Sequence, residues 1–144
     1  KIWQSLDSAI SRDRVVSGSA GTAISINGRS IATRRVSQQM IWFEFSDICG
    51  GPRSPSDYIA IAGEYATVFI SSIPQFHCGI EDEARRFVSL IDEFYDRRVN
   101  LICTAQVNIL DLYQGDRLTF EFERTASRLK EMQSKEYFQD QHLS

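Results

Sequence analysis

The run Ala66–Gln106, ATVFISSIPQFHCGIEDEARRFVSLIDEFYDRRVNLICTAQ, decides the fold. Its first part, Thr67 to Ser72, is short, apolar and partly β-branched, and Pro74 stops it; such a run reads as a buried strand. Further on, Ala84, Phe87, Val88, Ile91 and Phe94 recur at the i, i+3, i+4, i+7 spacing of one helical face, which predicts a helix over Ile80–Arg97. Asp82 before Arg86 and Glu93 before Arg97 place an acid one turn ahead of a base on the exposed side. Val99 to Thr104 is a second short apolar run, following the helix almost without a loop. Two buried strands joined by such a helix lie parallel, because only a crossover returns the chain to start the second strand in the same direction. The unit is βαβ, and the fold class α/β.

Upstream, Ile2, Trp3, Leu6, Ala9 and Ile10 already stand at helical spacing with no cap before them, so Lys1–Ser11 reads as the end of an amphipathic helix. Arg12–Gly21 is small and polar and reads as a loop or linker. Thr22–Ile26 and Ser30–Val36 flank Asn27-Gly28, a strong two-residue hairpin signal. Met40–Phe45 reads as a third strand, so this third of the chain is expected to be an antiparallel meander, scaffold first and binding edge as the alternative. In DICGGPRSPSDY, Gly50-Gly51-Pro52 forces a turn and Pro55 suits the first turn of a helix running through Tyr65. Arg53 between them could reach a phosphate or carboxylate, or tie the turn to a neighbouring carbonyl or acid.

Downstream, Leu110, Leu112 and Tyr113 in the connection Val107–Gln114 are expected to cover the sheet, and Gly115-Asp116 breaks that connection. A long final helix is predicted over Leu118–Phe138, its apolar stripe carrying Leu118, Phe122, Ala126, Leu129, Met132 and Tyr137. Its polar side mixes Arg117, Arg124, Arg128, Lys130 and Lys135 with Glu121, Glu123 and Glu131, the pattern of a solvated face.

With 144 residues, 42% of them hydrophobic and 24% charged, the chain can bury a real core as one domain. A net charge of −3 gives no electrostatic reason to expect nucleic acid as a partner. Cys49, Cys78 and Cys103 are odd in number and form no C-x-x-C pair, and only His77 and His142 could join them on a metal. They read as reduced, mostly buried thiols of a cytoplasmic protein, and no metal is expected. No apolar run approaches the roughly 20 residues of a membrane span. Ser71-Ser72, His77 and Asp92 supply residue types used by hydrolases, but no G-x-S-x-G elbow accompanies them. Nor does a G-x-x-x-x-G-K-[ST] phosphate loop occur anywhere in the chain.

Three separated stretches, GGPRSPSDY, DEARRFVSLIDEFYDR and YQGDRLTFEFERTASRLKEMQSKEY, carry a resemblance. Together they resemble the C-terminal portion of the ZapE family, bacterial cell-division-associated P-loop ATPases related to mitochondrial Afg-type and Lace-type ATPases. The resemblance covers about Arg29 to Tyr137. It implies that residues 1–21 are a helix end and linker from an upstream ATPase portion, and residues 22–144 a C-terminal α/β domain. That domain would hold an antiparallel meander, a βαβ unit and a long C-terminal helix, as in the C-terminal part of a P-loop NTPase. The resemblance further implies ATP hydrolysis with Mg2+ in the full-length protein, with the upstream portion and cell-division ring proteins as partners.

In such a fold, the strand Thr67–Ser72 would end on Mg-binding acids, and here it ends on Ser71-Ser72-Ile73-Pro74. The chain by itself is therefore expected to bind neither ATP nor Mg2+ and to be inactive; a non-catalytic interaction module is the second reading. What the matched motifs could supply is an arginine finger or sensor. The candidates are Arg53, Arg85, Arg86, Arg124 and Arg128, with Arg124 first because FEFERT is the most distinctive motif. The alternative for Arg124 is an ion pair with Glu121 or Glu131 on its own helix.

Overall fold

A computed structural model describes residues 23–133. The expected helix over Lys1–Ser11, the linker after it and the helix end beyond residue 133 lie outside the described residues. A hairpin comes first: β1 (Ala23–Ile26) pairs antiparallel with β2 (Arg29–Ala32). Asn27 and Gly28 turn it with φ of 52° and 80°, the left-handed backbone that a tight primed turn demands. Its inward side chains, Ile26 and Ile31, join the main core.

The second sheet has the order β3-β4-β5-β6, built from β3 (Arg35–Val36), β4 (Met40–Glu44), β5 (Thr67–Ile73) and β6 (Asn100–Ala105). β3 is antiparallel to β4, whereas β4, β5 and β6 all run parallel. The crossover from β5 to β6 is α3 (Glu81–Asp96), as the hydrophobic period predicts. All five residues of the predicted face, Ala84, Phe87, Val88, Ile91 and Phe94, are buried. Of the two expected ion pairs, Arg97 with Glu93 is present at 2.5 Å.

The α/β class holds, with antiparallel pairs ahead of the βαβ unit and a helix after it, and one detail differs. The expected meander divides into two sheets, and Met40–Glu44 lies parallel to β5. The reason is a second crossover: α1 (Phe45–Ile48) and α2 (Pro55–Glu64) carry the chain from β4 back to the start of β5. α2 starts where the sequence places it. Ser54 is its N-cap, Pro55 opens its first turn, and the Asp57 carboxylate accepts a hydrogen bond from Ser54 N–H at 2.9 Å, the returning half of a capping box.

One sheet face, with Ile41, Phe43, Val68, Ile70 and Leu101, belongs to the same core as α2 and α3. On the other face Trp42 meets Phe69 edge-on, with centroids 6.5 Å apart and Met40 and Ile102 beside them. The last helix, α4 (Thr119–Met132), buries Phe122, Thr125, Leu129 and Met132. The connection before it behaves in part as expected: Leu112 is buried, while Leu110 is 73% exposed. Phe76, in the loop after β5, is buried between the rings of Phe45, Phe87 and Phe122.

Candidate functional site

The five candidate arginines fall into two separate groups, with one left over. The first group surrounds the turn Gly50-Gly51-Pro52. Arg53 donates through Nη2 to the Asp47 carbonyl at 2.8 Å and through Nη1 to the Pro52 carbonyl at 2.9 Å. Arg86, one turn into α3, sends Nε to the Cys49 carbonyl at 2.6 Å rather than pairing with Asp82. Arg29, from the hairpin, also reaches the Pro52 carbonyl at 3.3 Å and the Asp57 carboxylate at 2.8 Å. So Arg53 ties the turn to carbonyls, the second of the two roles open to it. The turn itself admits only glycine at its start, because a Cβ on Gly50 would come within 2.3 Å of the Ser46 carbonyl oxygen. Cys49 is buried in this loop, and burial pushes its thiol up to about 12 despite Arg86 and Arg53 nearby. Burial also raises the Tyr58 hydroxyl, which donates to the Ile48 carbonyl at 3.0 Å.

Asp57 is the anion of this group. Burial alone would raise its pKa, but hydrogen bonds from Ser54 N–H and the Asn27 amide, with the charges of Arg29 and Arg53, hold it below the ordinary value of 3.8. A folded-state pKa below the unfolded one contributes stability above the unfolded value, and that stability is lost as pH falls through the folded value. Asp57→Asn is therefore expected to flatten the acid limb of the unfolding profile below about pH 4. At neutral pH it should cost about 0.5–2 kcal/mol through the weakened cap. Urea midpoints measured from pH 2 to 7 on both chains check this. An unchanged acid limb would remove Asp57 from the role assigned to it.

The second group fastens α4 to α3. Arg124 holds Asp92 with two hydrogen bonds, Nη2 to Oδ2 at 3.0 Å and Nε to Oδ1 at 3.3 Å. Arg128, one turn later, bonds the same carboxylate through Nη1. The Arg128 guanidinium lies 4.8 Å from the Tyr95 ring centroid, and Tyr95 in turn donates to Glu131 at 2.8 Å. Arg124 thus has an ion-pair partner, and it comes from α3 rather than from Glu121 or Glu131. Thr125, between the two arginines, is buried with its hydroxyl unpartnered among the described residues.

Arg85 belongs to neither group. It is exposed on α3, and no partner holds it among the described residues.

At the C-terminal end of the parallel strands, where open α/β sheets bind ligands, a carboxylate does appear that the end of β5 lacks. Glu44 closes β4 in register with Ser71. Its Oε2 accepts from Arg34 at 2.7 Å and from the Ser71 hydroxyl at 2.9 Å, while Trp42 Nε1 donates to that hydroxyl at 3.0 Å. Burial would raise the Glu44 pKa, but hydrogen bonds from Ser72 and Ser71 and the pairing with Arg34 lower it. Ser72 beside it sits at φ 65° in a bulge between β5 and β6. Glu44 stands alone there, with no second or third ligating side chain grouped with it among the described residues, so it does not by itself make a magnesium site. Sequence reasoning passed over Glu44 because it searched the end of β5, and strand register alone brings β4 alongside. Among the described residues no group of three or more His, Cys, Asp or Glu side chains could hold a metal ion. No helix among them is long and apolar enough to cross a membrane.

Comparison with known proteins finds relatives of the chain. A family model described as AFG1-like ATPase matches residues 2–141. The cell division protein ZapE of Escherichia coli K12 is 46% identical over 121 residues, which cover 84% of this chain and 32% of that protein. Lactation elevated protein 1 homolog B of Danio rerio is 29% identical over 147 residues, 80% of this chain and 29% of that one. The chain spans about a third of the length of the curated relatives it matches. No solved structure gives a significant match.

Proposed function

Because this chain belongs to the AFG1-like ATPase family, we propose that it is the C-terminal portion of a ZapE-like cytoplasmic enzyme that hydrolyses ATP and takes part in bacterial cell division. The observation that carries the reading is the 46% identity to Escherichia coli ZapE across 84% of the chain. ATP and Mg2+ are held elsewhere in the longer protein. The residues here offer no phosphate loop, and Glu44 at the sheet end is engaged with Arg34 and Ser71. The 144-residue chain alone accordingly turns over no ATP.

What this portion contributes to hydrolysis is a positive charge, and the reading favours Arg85 for it. Arg53 and Arg86 bond backbone carbonyls, and Arg124 and Arg128 bond Asp92. A finger must be able to leave its own surface and meet charge that develops on a transferring phosphoryl group. Arg85, exposed and unpartnered among the described residues, can do so without breaking a bond in its own domain. In the full-length protein, Arg85→Ala is expected to lower kcat at least tenfold, about 1.4 kcal/mol of barrier. KM for ATP should change far less, since the interaction forms in the transition state, and Tm should not move. Arg124→Ala, measured alongside, should lower Tm and leave kcat near wild type. Wild-type turnover in Arg85→Ala would withdraw the finger and favour the second reading, a non-catalytic module that docks a division protein.

A further inference from the structure

The two faces of the four-stranded sheet are not alike. Its strands β4, β5 and β6 stand in sequence order, and right-handed crossovers between them put both connections on one side. Accordingly, the buried apolar residues of α1, α2, α3 and α4 all belong to the core on that side. The other face carries a row in register across all four strands, Arg35, Trp42, Phe69 and Ile102, with Met40 beside it. Polar residues fence this row, Thr67 and Asn100 on one side, Glu44 and Ser71 on the other. No helix residue among those described joins its apolar cluster, yet Phe69 is 0% exposed and Trp42 7%. Strand neighbours shield a ring at its sides and leave the outward surface of the sheet open to water. A further layer therefore lies over Phe69, in keeping with parallel strands, which are buried on both faces.

Two stretches of the chain lie outside residues 23–133, and they are unequal candidates for that layer. Residues 134–144, SKEYFQDQHLS, are mostly polar. They leave from Gln133 at the end of α4, a helix held to α3 on the opposite face by Asp92 and by its buried residues. Residues 2–10 instead bring Ile2, Trp3, Leu6, Ala9 and Ile10 at helical spacing, with Gln4, Ser8 and Ser11 on the opposite side. The eleven residues 12–22 that separate this segment from β1 reach about 35–40 Å when extended. That is ample to pass round a sheet edge, where stacked layers lie about 10 Å apart. The patch of Met40, Trp42, Phe69 and Ile102, fenced by polar residues, seats a single helix of ~10 Å diameter. We infer that residues 2–10 form an amphipathic helix that lies on the Trp42–Phe69 face with its apolar stripe against the two rings. The segment is then a layer of this domain rather than the tail of an upstream portion.

Trp3 and Trp42 are the chain's two tryptophans, so Trp42→Phe, which keeps an aromatic ring in the row, leaves emission that reports on Trp3 alone. In the full chain that emission should be blue-shifted. Iodide should quench it about fivefold less than in the urea-unfolded chain, because a covered indole is out of reach of an aqueous ion. Leu6→Asp on the segment and Ile102→Glu on the sheet face should each restore quenching to the unfolded level, while the far-ultraviolet circular dichroism of the main core persists. Ser8→Asp, on the polar side of the segment, and Leu110→Glu, in the exposed connection before α4, should change nothing. If Ile102→Glu loses its circular dichroism, Met40→Glu puts the same question from β4. The protection should also hold on dilution through the micromolar range. Iodide access in the native Trp42→Phe chain equal to that in the unfolded one overturns the inference, since the face is then covered by something else. So does protection that vanishes on dilution, which would seat the segment on a second copy. Protection indifferent to both Ile102→Glu and Met40→Glu overturns it as well, because the segment then packs elsewhere.

Discussion

Ile91→Asp is expected to leave no cooperatively folded protein at 25 °C. Ile91 lies at the centre of the buried face of α3, fully enclosed with Phe87, Leu90 and Phe94 around it. The aspartate would bring a carboxylate into that layer with no cation or donor to meet it. Burying such a group unpaired costs several kcal/mol, a large part of the ~5–15 kcal/mol by which domains are stable. Loss of the cavity-filling methyl groups adds to it. Far-ultraviolet circular dichroism with a thermal melt decides the point. A soluble variant melting with the wild type would mean that this face of α3 does not pack on the sheet.

Phe76→Ala should be the most costly change outside the regular elements, about 3–5 kcal/mol. The Phe76 ring sits 5.5 Å from Phe45, 5.4 Å from Phe87 and 5.4 Å from Phe122, centroid to centroid. Those partners belong to α1, α3 and α4, so one side chain joins three helices to the loop after β5. Its backbone is held as well, with Phe76 N–H donating to the Leu112 carbonyl at 2.7 Å and its carbonyl accepting from Gln114 N–H at 2.7 Å. The three rings around the void are rigid, so alanine leaves them without the contacts that Phe76 makes. Urea unfolding should show a lower midpoint at an unchanged slope. A loss below about 1 kcal/mol would show that the ring cluster closes over the gap.

The elements that were legible are those whose signal is local. The 3.6-residue recurrence from Ala84 to Phe94 marked α3, Asn27-Gly28 marked the hairpin, and Ser54-Pro55 marked the start of α2. Residues whose role depends on a partner far away in sequence were not legible. Helical spacing exposes pairs such as Glu93–Arg97, but it is blind to Asp92, which collects Arg124 and Arg128 from the neighbouring helix. It likewise offered Asp82 for Arg86, whose true acceptor is a backbone carbonyl that no residue type announces. Met40–Glu44 was recognisable as a strand, but its direction relative to β5 depended on whether Phe45–Glu64 returned the chain across the sheet. Phe76 sat between Pro74 and His77 with no period to mark it as core.

The parallel strands β4, β5 and β6 stand in space in the order in which the chain makes them. Each new strand therefore pairs with the one just before it, and no gap in the sheet waits for a later segment to be threaded in. The entropy of closing each connection grows only with the logarithm of its length, and each closure yields a ladder and a helix face together. Assembly can proceed by simple accretion, one helix and one strand at a time, outward from β4. The ion pairs of Arg124 and Arg128 with Asp92 join the last described helix to the last crossover, so they need both in place. In the language of kinetics, a clasp absent from the folding transition state would slow unfolding more than it speeds the approach to the native state.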